Sequence, residues 1–304
     1  KKIFLDIIKI CSLTFIFYIV SFPSLWDNPF KNIIAVFTNL SNHQMDGYHL
    51  YLGHLISFFN APWHYVSVWI FITTPIFYTF FFIIGLFDLV KSFFKNDKDL
   101  IFIQDIFFLL LLITPIFAVV ILNSTLYDGW RHLYFIYPFY VIFIIKGFIF
   151  LLNTFNSSKK IIKLIHIFIL YVLIDIGLWM FNNHPYQYVF FNKLIKNVAS
   201  KNFELDYLSA SYKTSYDFLI KNEKKDLYLI AENGNRKLFY SLFSLSKKER
   251  QKFKVVSREN AEYLITSYNL DNVRYDKDFF EKYEVLNEVI VDDIKINSLF
   301  RLKK

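Results

Sequence analysis

The chain has little cysteine and little glycine. Of its 304 residues, one is cysteine (Cys11) and seven are glycine. A single cysteine excludes an intramolecular disulfide, and no spacing of cysteine and histidine indicates a metal site. No glycine-rich phosphate loop opens a helix in the C-terminal part, so nucleotide binding is not expected there. These absences set aside disulfide-stapled scaffolds and P-loop proteins.

Apolar and aromatic side chains are abundant instead, and they are concentrated before residue 181. Runs of about 20 apolar residues have the length that a bilayer span needs. Such runs lie at 7–25, 63–89, 106–122, 133–152 and 161–181. Helices that are apolar on all sides do not fit a soluble bundle. The sequence therefore predicts a mainly α, multi-pass transmembrane helical bundle of about five spans.

Lysines are distributed unequally between alternate connecting segments. Three lysines lie at the start of the first run, three follow the second and three lie at the start of the fifth, whereas the other connections carry only Lys31 and Arg131. The positive-inside rule places the lysine-rich segments in the cytoplasm. Loop 26–62, loop 123–132 and everything after residue 182 then lie on the outer face. The net charge of +8 requires no nucleic-acid partner.

Residues 182–304 have mixed charge and short apolar patterns, which distinguish them from the transmembrane region 1–181. Their periodicity predicts a small α/β domain. The predicted elements are helices at 208–220 and 237–245, strands at 227–231, 253–256 and 263–266, and a hairpin of 284–291 with 294–300.

A short polar string between two apolar runs is the strongest candidate site. It reads Tyr127-Asp128-Gly129-Trp130-Arg131-His132-Leu133-Tyr134. Ionisable side chains are costly at a membrane edge, so the string indicates a site for an ionic group at the membrane surface. The Arg131 guanidinium offers a fork of donors to phosphate, His132 adds a donor, and Asp128 orients Arg131. Alternatively, Arg131 ends a span and extends to lipid headgroups.

The other candidates lie in loop 26–62 and in the fifth run. His43 and Asp46 indicate either a polar site or ordinary loop solvation. Trp63 and Tyr65 fit the aromatic belt at a membrane interface. Asp175 lies within the fifth run, where an acid usually faces protein, and we hypothesise that Arg131 is its partner.

Several blocks, together with their order and spacing, resemble one bacterial branch of membrane glycosyltransferases. These are GT-C fold enzymes of the family 39 type, relatives of protein O-mannosyltransferases and aminoarabinose transferases. The blocks are His43-Gln44-Met45-Asp46-Gly47, Pro62-Trp63-His64-Tyr65, the polar string with Tyr137-Pro138, Pro185-Tyr186-Gln187-Tyr188, Phe203-Glu204-Leu205-Asp206-Tyr207 and Ser211-Tyr212-Lys213. The chain departs from the branch at Gln44-Met45, where tryptophan is usual, and at Leu208-Ser209, where Trp-Gly is usual.

The resemblance implies transfer of a sugar from a polyprenyl-phosphate lipid to a glycan, lipid or protein acceptor, at the outer face of the bacterial inner membrane. Tyr127, Asp128, Arg131 and His132 would bind the donor phosphate. His43, Asp46, Trp63 and Tyr65 would belong to the reaction cavity and acceptor loop. No cofactor is certain, and a divalent cation is an open possibility.

The acidic pair that this family uses lies in its first outer loop, after its first span. The chain starts at Lys1, immediately before an apolar run. We therefore expect it to be the C-terminal half of a GT-C module, with the catalytic carboxylates upstream and no catalytic residue assigned here. One alternative is a non-catalytic membrane partner or polyprenyl-lipid-binding subunit. A transporter or flippase is disfavoured because the spans show no internal repeat.

Overall fold

The computed structural model describes residues 2–41, 47–94, 99–232, 237–268 and 277–303. The chain divides into two compact units, Lys1–Asp46 and Gly47–Lys304. The first unit contains α1 (Lys2–Ser21), a 3-10 turn (Pro23–Leu25) and α2 (Pro29–Ser41). Helix α1 occupies most of the first predicted run and ends just before Pro23, whose ring cannot continue a helix.

The second unit begins with a β-hairpin, β1 (Tyr48–Tyr51) and β2 (His54–Ser57). Leu52 and Gly53 both have positive φ at the turn, as a type I′ hairpin requires. The Gly53 N–H donates to the Asn202 carbonyl, and the Glu204 N–H donates to the Leu50 carbonyl, each at 3.0 Å. These bonds attach the hairpin to the segment that enters the α/β domain.

Within the described residues, four helices are long and apolar enough to cross a membrane. They are α4 (Ile76–Phe93), α5 (Leu100–Ile121), α6 (Tyr137–Thr154, preceded by the 3-10 turn Arg131–Ile136) and α7 (Lys159–Asn182). This confirms the helical architecture, and helices that could cross a membrane lie in four of the predicted runs. A span in α1 stays a prediction.

The prediction of a single span at 63–89 is wrong, because this run contains two helices. Helix α3 (Tyr65–Ile72) ends before Pro75, and α4 starts at Ile76. Proline has no N–H and disfavours helical backbone in the residue before it, so the helix breaks here. The Thr73 hydroxyl donates to the Trp69 carbonyl at 2.6 Å at the end of α3. The run at 106–122 begins earlier than predicted, because Asp99 caps α5 by accepting from the Phe102 N–H at 2.8 Å.

Helices α4 and α6 run in the same direction and pack closely at two glycines. A Cβ added at Gly85 would lie 2.0 Å from the Phe143 carbonyl oxygen, and one added at Gly147 would lie 1.9 Å from the Phe81 carbonyl oxygen. Small residues allow this approach of two membrane helices. An ion pair also joins α5 to α6, with Lys146 Nζ 2.7 Å from Asp105 Oδ2.

Helix α7 ends at Asn182, and an α/β region follows within the second unit. The domain boundary at 181/182 stays a prediction. The helices of this region are α8 (Lys196–Asn202), α9 (Ser211–Asn222), α10 (Lys237–Ser241), α11 (Lys247–Arg250) and α12 (Lys277–Lys282). Its strands are β3 (Tyr228–Glu232), β4 (Phe253–Val255), β5 (Tyr263–Ser267), β6 (Tyr283–Val291) and β7 (Ile294–Leu302). These confirm the predicted elements to within a few residues.

The five strands form one mixed sheet in the order β4-β3-β5-β7-β6. Strand β3 is parallel to β4 and β5, whereas β7 is antiparallel to β5 and β6. The predicted turn between β6 and β7 is confirmed, with Asp292 and Asp293 both at positive φ. Helix α9 packs on the sheet through Tyr212 and Tyr216, which are fully buried.

Candidate functional site

Three separate segments meet at one end of the helices, which we call the loop end. The Asn192 side chain, beyond α7, donates to the Phe71 carbonyl in α3 at 2.7 Å. The Leu126 N–H, in the connection between α5 and α6, donates to the Phe58 carbonyl at 3.1 Å. The connection at 123–132 and the residues after α7 therefore both contact the segment 58–71.

The polar string lies at the loop end and opens with a tight turn. Asp128 and Gly129 have φ of 55° and 71°. Two successive residues in this region reverse the chain sharply, and glycine adopts it without steric cost. The Gly129 backbone faces the ring of Trp69. A 3-10 turn from Arg131 then leads into α6.

Arg131 is held by its neighbours in the string. Its Nη2 lies 2.9 Å from Asp128 Oδ2, and its guanidinium lies 5.0 Å from the centre of the Tyr127 ring. Its Nε is buried and has no hydrogen-bond partner among the described residues. The exposed His132 ring packs edge-on against Tyr127, with centroids 4.5 Å apart. The structure thus brings together the four residues predicted to bind phosphate, and Asp128 is the neighbour that orients Arg131.

Asp175 does not pair with Arg131, so that hypothesis is wrong. Its partner is Lys193, whose Nζ lies 3.0 Å from Asp175 Oδ2. The segment that follows α7 folds back along the helix and brings this lysine to the carboxylate.

One side of the string forms part of an aromatic cavity of about 290 Å³. Its lining residues are Trp69, Thr73, Thr74, Gly129, Trp130, Tyr134, Tyr137, Gln187, Tyr188, Phe190 and Tyr207. No charged side chain is among these described lining residues. The Trp130 indole N–H donates to Thr73 Oγ1 at 3.0 Å, and the Gln187 amide donates to the Met180 carbonyl at 3.0 Å. The cavity therefore offers mainly aromatic faces, which suit a neutral ring or chain.

Tyr188 connects the aromatic cavity to a buried carboxylate, Asp206. Asp206 is fully buried and accepts hydrogen bonds from the hydroxyls of Tyr188, Ser211 and Ser267. Burial raises the pKa of Tyr188, and the Asp206 charge raises it further. Tyr188 therefore stays protonated and is not a general base. Its hydrogen bond to Asp206 holds it in the cavity wall.

The other side of the string forms part of a second cavity of about 580 Å³, which we call the cationic cavity. Its lining residues are Asp128, Arg131, Pro185, Tyr207, Leu208, Ser209, Ala210, Lys213, Tyr240, Ser241 and Ser244. The lining residues include two cations, Arg131 and Lys213, and one carboxylate, Asp128, which is paired with Arg131. Tyr207 lines both cavities, so the two cavities are neighbours.

The remaining predicted site residues have different surroundings. Trp63 is 73% exposed and is not among the residues lining either cavity. Tyr65 is fully buried and packs against the rings of Tyr51, His49 and Trp69. His43 and Asp46 lie outside the described residues.

Several residues of these cavities were not predicted from the sequence. Lys213, Tyr188 and Tyr207 lie in blocks that carry the family resemblance, but nothing in their local sequence indicates a cavity. Ser209 is distinguished only by its conformation, with φ of 56°.

Comparison of the chain with protein-family models, curated proteins and solved structures found no match. The glycosyltransferase resemblance therefore stays a prediction. Within the described residues, no group of three or more His, Cys, Asp and Glu side chains is arranged to hold a metal ion.

Proposed function

We propose that this chain belongs to a membrane glycosyltransferase that moves a sugar from a polyprenyl-phosphate donor to an acceptor at the outer face of the bacterial inner membrane. One observation carries the proposal. An uncharged aromatic cavity and a cationic cavity share the lining residue Tyr207 at the end of helices that are apolar enough to span a bilayer. A sugar and a phosphate in one lipid headgroup require two such environments side by side.

The phosphate is the leaving group in this reaction. Negative charge develops on it as the glycosidic bond breaks, and a preformed cation lowers the energy of that state. Arg131 fills this role because Asp128 and the Tyr127 ring already fix its guanidinium. His132 stands beside Tyr127 and supplies a further polar group. The aromatic faces of the neighbouring cavity would hold the sugar ring.

The acceptor hydroxyl needs a base within hydrogen-bond reach. No carboxylate is among the described residues that line the aromatic cavity. Asp128 is paired with Arg131, and Asp206 accepts hydrogen bonds from three hydroxyl groups. We therefore assign no catalytic base in this chain and place the donor phosphate, rather than the base, at the polar string.

This distribution of carboxylates also favours a second candidate. A subunit that binds polyprenyl lipid without transferring the sugar would need the phosphate and sugar cavities but no base. The two functions predict the same lipid binding and differ in turnover.

The lysine distribution supports the proposed orientation. Lys91 lies in the last turn of α4, and Lys159 and Lys160 begin α7, at the ends opposite to the loop end. By the positive-inside rule these ends face the cytoplasm. The polar string and the α/β domain would then lie on the periplasmic side.

Substitution of Arg131 tests the proposal in a transfer assay on the full-length protein. Arg131→Ala should lower the transfer rate by at least about a hundredfold, the cost of removing one preorganised donor from a developing anion. Asp128→Asn combined with Arg131→Ala removes the carboxylate charge left behind and should be equally inactive. Arg131→Lys retains the charge and should keep part of the activity. Wild-type transfer by the alanine variant would refute the assigned role.

A further inference from the structure

The cationic cavity has a second charged wall, which comes from the α/β domain. Lys213 lies in the first turn of α9 and lines the cavity together with Arg131. In this structure its Nζ lies 2.6 Å from Asp217 Oδ2, four residues further along α9. Both side chains of that pair are about half exposed, 50% and 51%. Exposed pairs of this kind contribute little to stability, so Lys213 can exchange this partner for an anion.

Serines from two further segments line the same cavity. Ser209 precedes α9, and Ser241 and Ser244 lie at the end of α10 and in the turn after it. The Ser241 and Ser244 hydroxyls donate to backbone carbonyls within their own segment. Ser209 is 8% exposed, and its Oγ has no hydrogen-bond partner among the described residues. Buried hydroxyls are normally hydrogen-bonded, so the Ser209 hydroxyl, in a residue that lines the cavity, is able to donate to an anion there.

The start of α9 already faces an anion of this chain. The buried Asp206 carboxylate accepts a hydrogen bond from the hydroxyl of Ser211, the first residue of α9. The groups that can bind a ligand with several acceptor oxygens are therefore those of Arg131, Lys213 and Ser209, which line the cavity.

We propose that the cationic cavity is a phosphate site built jointly by the polar string and the α/β domain, with Arg131 on one wall and Lys213 and Ser209 on the other. The α/β domain thus takes part directly in binding the anion. Two sources supply this chemistry, a lipid-borne phosphate and free phosphate. The assignment of this phosphate to the sugar donor rests on the proposed function, whereas the assignment of an anion site does not.

Titration of the full-length protein with inorganic phosphate, followed by calorimetry in phosphatidylcholine nanodiscs, tests the site. Lys213→Met should weaken phosphate binding by about tenfold or more, as expected for a lost hydrogen bond to a charged group. Ser209→Gly should weaken it by about threefold, as expected for a neutral hydrogen bond. Glycine tolerates the positive φ at this position, so that variant should fold.

Lys221→Met is the matched control, because Lys221 is an exposed lysine at the other end of α9 and is not among the lining residues. It should leave phosphate binding unchanged. Equal binding by wild type and Lys213→Met, or no binding of phosphate by the wild type, would overturn the assignment.

A second arm identifies the source of the phosphate. Polyprenyl phosphate added to the nanodiscs should compete with inorganic phosphate if the site takes a lipid headgroup. If it does not compete, the site takes free phosphate. Phosphate binding without any sugar transfer would leave this site in place and refute the proposed function.

Discussion

His49 should make the fold sensitive to acid. It lies in β1, is 1% exposed and packs against the rings of Phe58 and Tyr65, with centroids 5.5 and 4.8 Å away. Neither ring nitrogen has a hydrogen-bond partner among the described residues. Burial therefore lowers the pKa of His49 from 6.5 to about 4.

The size and sign of the effect follow from this difference. In the unfolded chain His49 takes up a proton as the pH falls through about 6.5, whereas in the folded protein it does so only near 4. Stability is therefore lost as the pH falls across this window. At 1.36 kcal/mol per pKa unit, the loss from His49 between about pH 7.5 and about pH 4.5 is about 2.5 kcal/mol.

Thermal or denaturant unfolding in nanodiscs at these two pH values measures the effect. His49→Phe keeps an aromatic ring between Phe58 and Tyr65 but cannot titrate. Carboxylates elsewhere contribute equally to both proteins, so the difference between wild type and variant isolates His49. If wild type and His49→Phe lose the same free energy of unfolding in acid, burial of His49 does not make the fold acid-sensitive.

Two further predictions concern the membrane helices. Gly147→Ala should force α4 and α6 apart and lower the free energy of unfolding by about 1–3 kcal/mol, as overpacking does. Gly177→Ala should not destabilise the protein, because nothing lies within 4 Å of its added Cβ. Equal unfolding midpoints for the two variants would contradict this prediction. Lys146→Met should cost about 3–5 kcal/mol because it leaves Asp105 buried without its ion pair. Adding Asp105→Leu should recover most of that loss in the same assay, and failure to recover it would show that the pair has another role.

Local patterns in the sequence predicted most of the elements but not their contacts. Apolar runs identify the positions of α5, α6 and α7, and the alternation on either side of Asp292-Asp293 identifies the last hairpin. Hydrophobicity alone predicts one span at 63–89, because it does not show the break between α3 and α4. Pro75 ends the helical path there, and proline chemistry is the signal that marks the boundary.

The candidate site could be predicted only where its residues are close in sequence. Asp128 and Arg131 are three residues apart, so their pairing is local. Lys213 reaches the same cavity through the folding of the α/β region, and Lys193 rather than Arg131 reaches Asp175. Such contacts depend on tertiary packing, which single-sequence patterns do not contain.

Ser209 illustrates a third case. It stands where the resembled glycosyltransferase branch usually has glycine, and it has φ of 56°. Glycine adopts this conformation readily, whereas other residues adopt it at a cost. The backbone geometry therefore gives a physical reason for glycine at this position, and this chain has a hydroxyl there instead.

The fate of the sugar itself tests the proposed transfer from a polyprenyl-phosphate lipid. Full-length protein in nanodiscs is supplied with polyprenyl-phosphate sugars labelled in the sugar, and the label is followed into an acceptor fraction. The label should move from at least one polyprenyl-phosphate sugar and not from the matching nucleotide sugars. Donor lipid that binds but never loses its sugar would contradict the proposed transfer and favour a lipid-binding subunit.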